Sequence, residues 1–404
     1  MLYAGIDWAD QKHDALVLDD TGRKLGSIHV AHTPEGLAKL DTWLVQMLGP
    51  QDKAQMACVI ETTHGLLIAF LLERGWSVFP VNPRTVDRKR SASGAKTDII
   101  DAYLLAKTGR ADFADLHQLI PDSDQVAELK ALTRDQDNLI QMQTRLVNQL
   151  TACLKEYYPI ALSLFAKLHQ KSALLFLQTY PTVQAAQAAS LEQIAQVLAE
   201  AGHTSVKRVA PKIFEQVHQP QLSAHEITTR TKSRLALALI AQLLPLVEQI
   251  ADYDREIEQL FLSHEDNEVF KSLPGAGKRL APRLLAEIGD DPSRYKSAGS
   301  LQALGGTSPV LFQSGNYSKP HRRQGCIKPL RNALHQFAWQ STQQEAWAKA
   351  YYERKRAEGK SHSVAVRALS NIWVRIIFAM LQSHTPYASA TFEAAKHQHA
   401  LKAA

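Results

Sequence analysis

The sequence predicts three architectures in succession: a mixed α/β domain over residues 1–118, a long antiparallel coiled coil over 119–265, and a mainly α-helical domain over 266–384. Three observations predict them. Strand-like alternation recurs three times before any helical pattern, after which helix and strand alternate. A heptad spacing takes over near Ser123. From Lys271 onward the chain becomes helical and strongly basic. Residues 385–404 are Ala-rich and are expected to fray as a disordered tail.

In order, LYAGID, DALVLDD and KLGSIHVAH read as strands, with a turn at Asp20-Thr21-Gly22 joining the second and third. A helix follows from about Thr33. Pro34 and Glu35 lie in its first turn, and Leu37, Leu40, Trp43 and Leu44 form one face. MACVIETT reads as a buried strand, LLIAFLLERG as a helix ended by Gly75, and WSVFPVNP as a strand closed by Pro83. A basic loop (Arg84, Arg88, Lys89, Arg90) leads into KTDIIDAYLLAKTG, which reads as a helix. Three strands in a row and then alternation is the order of a ribonuclease-H-like mixed sheet.

In the middle region Leu132, Leu139, Leu146 and Cys153 repeat every seven residues, beside a companion row of Leu129, Gln136, Gln143 and Leu150. A second run keeps alternating spacing through Leu239, Leu243, Leu246, Ile250, Tyr253, Ile257 and Leu260. Two such helices predict an antiparallel stalk with a small helical insertion over about 159–220. The two glutamines weaken the seam, and Pro245 is expected to bend the second helix. The last region opens FKSLPGAGKRLAPRLLAEIGD. It continues through a Gly/Ser-rich loop, a basic loop, a helix from about Ile327 and an amphipathic stretch through Leu381.

With 404 residues and 45% hydrophobic content the chain can bury sizeable cores. No uninterrupted apolar run reaches about 18 residues, so no membrane partner is expected. The opening MLYAGIDWAD has an acid at Asp7 and no basic stretch, so no secretory signal is expected either. Three scattered cysteines (Cys58, Cys153, Cys326) make neither a disulfide framework nor a zinc site, and the expected setting is the reduced cytoplasm. Charge is unevenly spread. Residues 271–384 hold 18 Lys and Arg against 6 acids, a surplus of 12 that leaves the rest of the chain net negative. Such asymmetry suits a polyanionic partner for the C-terminal part.

Three constellations carry chemistry. Asp7 ends the first strand behind Ala4 and Gly5, Glu61 ends a buried strand, and Asp98 and Asp101 stand i, i+3 on one helix face. A lone acid of this kind is ordinarily a turn or cap residue. Four oxygen donors without Cys or His instead suit Mg²⁺ or Mn²⁺, and two such ions can stabilise both oxygens of a phosphoryl transfer. Second, Gly275 and Gly277 of PGAG, followed by Lys278 and Arg279 and an apolar helix, resemble a helix–hairpin–helix motif. Its backbone N–H groups approach a phosphate. Third, FQSGNYSKPHRRQGC reads as a loop in which Ser314 and Gly315 precede Lys319, His321, Arg322, Arg323, Lys328 and Arg331. A serine needs a base and charge stabilisation to act as a nucleophile. The arginines can supply the second, and His321 is the local base to weigh. A plain Ser-Gly turn is the ordinary alternative.

Together these pieces resemble the insertion-sequence one-ten family of transposases (the Piv/DEDD transposases). GID, VIETT and KTDIIDAYLLA are similar to its RuvC-like DEDD domain. The helical middle is similar to its coiled coil. SLPGAGKRLAPRLLAEIGD, LQALGGTSPV, SG, RRQGC and LRNALHQFA resemble its C-terminal transposase domain. The resemblance implies that Asp7, Glu61, Asp98 and Asp101 bind metal and that Ser314 is the serine nucleophile. It implies transient phosphoserine linkage to DNA at a composite site shared between protomers of a homodimer or homotetramer. It also implies an element-encoded bridge (guide) RNA that pairs with donor and target DNA, on a bacterial nucleoid. Two departures stand out. His64 separates Thr63 from Gly65 where members read E-x-T-G, and Ser308 and Ser318 lie near Ser314. Gly315 and the distance to Arg-Arg-Gln-Gly-Cys favour Ser314. The alternative reading is a RuvC-like metal-dependent Holliday-junction nuclease or site-specific invertase in which Ser314 only packs.

Overall fold

A computed structural model describes residues 1–88, 97–315, 317–391 and 394. Lys89 and Arg90 of the expected basic loop, and most of the expected tail, lie outside the described residues. The chain divides into two compact units, Met1–Pro121 and Asp122–Ala404.

The first unit is a five-stranded mixed sheet in the order β3-β2-β1-β4-β5. Strands β1 (Leu2–Trp8), β2 (Lys12–Leu18) and β3 (Lys24–Ala31) form an antiparallel meander. Helix α1 (Pro34–Leu48) is capped by Thr33 Oγ1, which accepts from Gly36 N–H, and buries Leu37, Leu40, Leu44 and Leu48. Strand β4 (Met56–Ile60) then lies parallel to β1, and after α2 (Leu66–Glu73) strand β5 (Ser77–Pro80) lies parallel to β4. All five residues of β4 are buried, as expected of a strand covered on both faces. A short helix α3 (Pro83–Asp87) stands where the sequence was read as loop. Helix α4 (Asp98–Asp112) packs across the sheet, capped by Thr97. This is the ribonuclease-H-like α/β arrangement.

The second unit is built on two long helices, α5 (Asp124–Tyr157) and, after the tip helices, α11 (Glu226–Leu262). Between them come α6 (Ala161–Leu164), α7 (Lys171–Thr179), α8 (Val183–Gln187), α9 (Leu191–Glu200) and α10 (Val206–His218). They close a core with Leu150, Leu154, Leu239 and Leu243. The long helices run antiparallel. Gln125 Nε2 donates to the Leu260 carbonyl at 3.1 Å, Gln136 Nε2 to Asp254 Oδ1 at 2.9 Å, and Cys153 Sγ to the Lys232 carbonyl at 3.3 Å. Gln136, a polar residue in the predicted seam, is therefore buried with its amide satisfied. Helix α11 continues through Pro245 as one element.

The remaining elements are α12 (Asn267–Lys271), α13 (Gly277–Ile288), α14 (Ala298–Leu304), β6 (Val310–Ser314), β7 (Tyr317–His321), α15 (Lys328–Ser341), α16 (Ala346–Ala357) and α17 (His362–Ser383). Their core joins Val126, Leu129, Ile257 and Phe261 of the long helices to Phe337, Leu369, Trp373 and Ile377. Helices α11 and α17 are long and apolar enough to cross a membrane. Here α11 shares its apolar face between both helical cores, and α17 spends its own on the second. The stretch read as the start of a frayed tail is docked. The Tyr387 backbone N–H donates to Ser272 Oγ at 2.7 Å, and its phenol oxygen accepts from Trp347 Nε1 at 2.9 Å. Its ring packs 5.2 Å from that of Trp373. A tyrosine with both an apolar seat and a hydrogen-bonding tip is enough to hold this segment.

Three bidentate ion pairs staple α13 to the long helices. Arg134 grips Glu287 at 2.7 and 2.9 Å, Arg283 grips Asp137 at 2.9 and 3.0 Å, and Arg279 grips Asp254 at 2.7 and 2.6 Å. Glu287 is 4% exposed. Arg134→Ala should therefore cost about 3 kcal/mol by leaving a buried carboxylate unpaired. Glu287→Gln, which leaves no buried charge, should cost less. Urea midpoints for the two variants check this, and equal losses would assign the effect to packing.

Candidate active site

Two glycines set how closely α4 lies on the sheet. A Cβ on Gly5 would stand 2.0 Å from the Ala102 carbonyl oxygen and 2.4 Å from the Ala106 nitrogen; one on Gly109 would stand 2.5 Å from Val59. The helix thus runs against β1 with Gly109 near Tyr3 and Val59, and Ala102 and Ala106 over Gly5. One turn further, its N-terminal end brings Asp101 and Asp98 to the level of Asp7, two residues beyond Gly5 on the same strand face. Ile6 pairs with Ile60, so Glu61 follows beside Asp7 on the neighbouring parallel strand.

The electrostatics agree with that placement. The Asp7 carboxyl is pushed up to about 7, first by burial and then by the charges of Asp101, Asp98, Glu61 and Asp14. Asp101 is 8% exposed. Asp98, at the first position of α4, is ion-paired with Lys12 Nζ at 2.6 Å. Acids in the first turn of α4 also face the positive end of its dipole. Four carboxylates from three elements therefore share one electrostatic neighbourhood. Among the described residues no three ligand side chains are gathered tightly enough to form a ready coordination shell.

In the second unit the sequence FQSGNYSKPH forms a two-stranded hairpin, β6 pairing with β7, where a loop was expected. The strand signal was hidden because the described residues of this ribbon lie open to solvent: Leu311, Phe312 and Tyr317 are exposed, so no buried face marks its alternation. The signal that remained was Gly315-Asn316, a pair suited to a tight hairpin turn. Gly315 takes φ 55°. Ser314 closes β6, pairs with Tyr317 and is exposed at the hairpin tip. His321 sits at the root, its Nε2 3.2 Å from the Tyr317 hydroxyl. Lys319 lies over the Tyr317 ring at 5.6 Å.

The glycine turn before α13 behaves differently. Gly275 and Gly277 take φ 83° and 58°, and a Cβ on Gly275 would stand 2.8 Å from the Gln340 carbonyl oxygen. Its neighbours are engaged inside the chain, Lys278 with Glu258 at 2.8 Å and Arg279 with Asp254. Lys328 opens α15 and is exposed, while Arg331, one turn later, lies with Nη1 3.7 Å from Cys326 Sγ.

Two family patterns match the chain. Residues 4–159 match the DEDD transposase model of IS110, and residues 267–353 match the transposase model of the IS116/IS110/IS902 family. The Streptomyces coelicolor mini-circle protein named as a transposase for IS117 is 32% identical over 394 residues, covering 95% of this chain and 94% of that one. The chain belongs to the IS110 family of transposases. The same transposase is 30% identical to an IS116 protein of Streptomyces clavuligerus over 94% of each chain. It is 28% identical to an IS900 protein of Mycobacterium paratuberculosis over 98% of this chain and 99% of that one.

Membership makes the transposase an enzyme of DNA transposition, and the DEDD match implies use of a divalent metal. The acid cluster fits such an ion. Its donors are all carboxylate oxygens, as Mg²⁺ or Mn²⁺ prefers, and the raised Asp7 carboxyl reports a crowding of like charge that a divalent cation relieves. Sequence reasoning on the transposase missed two members of this neighbourhood, Lys12 and Asp14. The hairpin register contained the second: Asp7 pairs directly with Asp14 across β1 and β2. Lys12 carried no signal, since an exposed lysine at a strand start is ordinary.

Proposed function

We propose that this transposase moves its insertion sequence by serine transesterification. Ser314 Oγ attacks a DNA phosphorus and forms a phosphoserine ester, while the sugar oxygen departs and takes up a proton. Attack by a hydroxyl of another strand then reverses the exchange, joins the new strands and frees Ser314. Exposure of Ser314 at the tip of a ribbon, beside Gly315 and ahead of a basic run, is the observation that carries this reading. No carboxylate crowds the hydroxyl within that ribbon, and His321, the base weighed from the sequence, stands at the ribbon's root opposite Val310, too far along the strand to take the Ser314 proton.

Asp7, Glu61, Asp98 and Asp101 would hold Mg²⁺ or Mn²⁺, which when bound supplies charge stabilisation to phosphate oxygens. Asp98 must exchange its pairing with Lys12 to take part. The two long helices make an antiparallel coiled-coil stalk, and the turn at Gly275 and Gly277 a helix–hairpin–helix-like element. A homodimer or homotetramer, acting in the bacterial cytoplasm, brings acids and serine to one composite site. An element-encoded bridge RNA selects donor and target DNA, its phosphates and theirs held by the basic C-terminal surface.

The test is a denaturing gel of labelled DNA spanning the element junction, incubated with protein, Mg²⁺ and RNA transcribed from the element's flanks. A slow, protease-sensitive band that disappears in Ser314→Ala is expected. Equal strand exchange by the variant, with no adduct in either protein, would move the chemistry to the acids alone.

A further inference from the structure

Several cations of the helical unit are already neutralised. Lys130, Arg134, Lys278, Arg279, Arg283 and Arg294 each face a carboxylate of the same unit. One group is not. Among the described residues no carboxylate pairs with Arg322, Arg331 or Arg367. Yet the fold draws them together. Gly306, at φ 62°, is packed so tightly that an added Cβ would stand 2.7 Å from Cys326 Sγ and 3.5 Å from Arg331 Cδ. The segment leading out of α14 is tied to α17 by Gln302 Nε2 donating to the Asn371 carbonyl at 2.7 Å and by Thr307 Oγ1 donating to Asn371 Oδ1 at 3.0 Å. Arg367 stands one turn before Asn371. One turn beyond Arg331 on α15, His335 Nε2 lies 3.3 Å from the Ser363 carbonyl, at the other end of the same turn of α17. Arg322 follows the last residue of β7, whose partner Val310 lies at the hairpin root.

The side chains register this crowding. The half-buried Arg367 guanidinium is lowered from its ordinary value by burial, then by Arg322 and Arg331. His335 is lowered first by burial and then, against its bond to Ser363, by Arg367, His362 and Arg322. Arg323 Nε is buried without an acceptor. Gathering like charges costs stability unless an anion joins them, and a guanidinium cluster matches the oxygens of a phosphate.

We propose that Arg322, Arg331 and Arg367, seated between α15, α17 and the root of the β6–β7 hairpin, form a grip for a nucleic-acid phosphodiester. Its place in the reaction rests on the reading of Ser314, although the grip itself does not. Ser314 is four residues from the root, about 13 Å along an extended strand. That is too far to share a phosphate with the cluster. It corresponds to about four nucleotides along one strand of a duplex, at about 3.4 Å each. The grip thus fixes register: it holds the backbone at one point so that a phosphate several nucleotides away lies at the hairpin tip.

The experiment measures binding of the full chain to fluorescein-labelled duplex DNA, to single-stranded DNA and to an RNA hairpin across a salt series. Each lost phosphate contact flattens the slope of log K against log salt by about 0.9 on duplex DNA and about 0.7 on a single strand. The variant R331Q/R367Q is expected to flatten the duplex slope by about 1.8 and to melt no lower than wild type, since it relieves repulsion. R331K/R367K keeps the charge and should keep the slope. Flattening with the RNA probe alone would identify RNA as the source of the phosphate, and flattening with DNA alone would identify DNA. An unchanged slope on every probe in a folded R331Q/R367Q protein would overturn the grip, as would loss of slope in the lysine pair. Ser314→Ala should leave the slope untouched, so an absent adduct sinks only the serine reading.

Discussion

Asp7→Asn is expected to make the N-terminal unit more stable and the enzyme inactive. In the folded chain the Asp7 carboxyl titrates near 7, against 3.8 as an ordinary aspartate, first because it is buried and then because Asp101, Asp98, Glu61 and Asp14 repel its charge. The folded form therefore holds a proton that the unfolded form releases. Stability is full below about pH 4 and falls as pH rises through 7. Above that range the ionised group is a standing penalty on the order of 3 kcal/mol in the absence of metal. Asparagine removes the penalty and, with it, an anionic metal ligand. Hydrogen exchange at the β1 amides should show wild type and variant alike at pH 4, with the variant better protected at pH 8. Mg²⁺ should narrow the gap at pH 8 by protecting wild type. Strand cleavage should vanish in the variant while DNA binding persists. A variant that is less stable at pH 8, or that still cleaves, would contradict the placement of Asp7 among the acids.

Gly5→Ala should damage the same site without touching a charged group. The new Cβ would meet the Ala102 carbonyl oxygen at 2.0 Å and the Ala106 nitrogen at 2.4 Å, both backbone atoms that cannot swing aside. Helix α4 must then lift by more than about 1 Å, at a cost near the upper end of the 1–3 kcal/mol typical of overpacking. Because Asp98 and Asp101 ride on that helix, their carboxylates move relative to Asp7 and Glu61. A misplacement of about 1 Å can cost about a hundredfold in rate. Gly26→Ala is the control: its nearest atom is Met47 Sδ at 3.1 Å, on a flexible side chain. If Gly5→Ala unfolded at the wild-type urea concentration and cleaved at the wild-type rate, close helix–strand contact would not be what sets the acid geometry.

The N-terminal unit was legible because both of its signals are local. Short apolar runs set off by turn residues mark its first three strands, and buried runs such as MACVI mark strands covered on both faces. Asp7, Glu61, Asp98 and Asp101 could be picked out because strand ends and an i, i+3 spacing give direction to side chains before any tertiary contact is known. Asp14 was not picked out, since its importance comes from a cross-strand register and not from its own neighbours in sequence. The second unit was read well in its long helices and poorly in its hairpin, which lacks the half-buried face that sequence periodicity reports. The partners of Gln136, Lys278 and Arg279 were equally hidden. Asp254 and Glu258 lie on a helix more than a hundred residues from Gln136, and no local rule connects them. Tyr387 in an Ala-rich stretch showed the opposite failing: composition said frayed, while one aromatic ring was enough to dock the segment.

The core that joins the start of α5 to Trp373 and Tyr387 also orders the events of synthesis. The N-terminal sheet is complete once α4 has left the ribosome, and the tip helices can close their own core as soon as Leu243 has followed. The remaining core cannot close, because Phe337, Leu369, Trp373 and Ile377 are among the last residues made. Until then Val126, Leu129, Ile257 and Phe261 wait with apolar faces uncovered, the kind of surface that invites aggregation or chaperone binding. Contacts so distant in sequence also form slowly. A chain stopped short of α17 would therefore emerge with a finished N-terminal unit and tip but no closed C-terminal unit, so only a fully translated transposase could use the hairpin that carries Ser314.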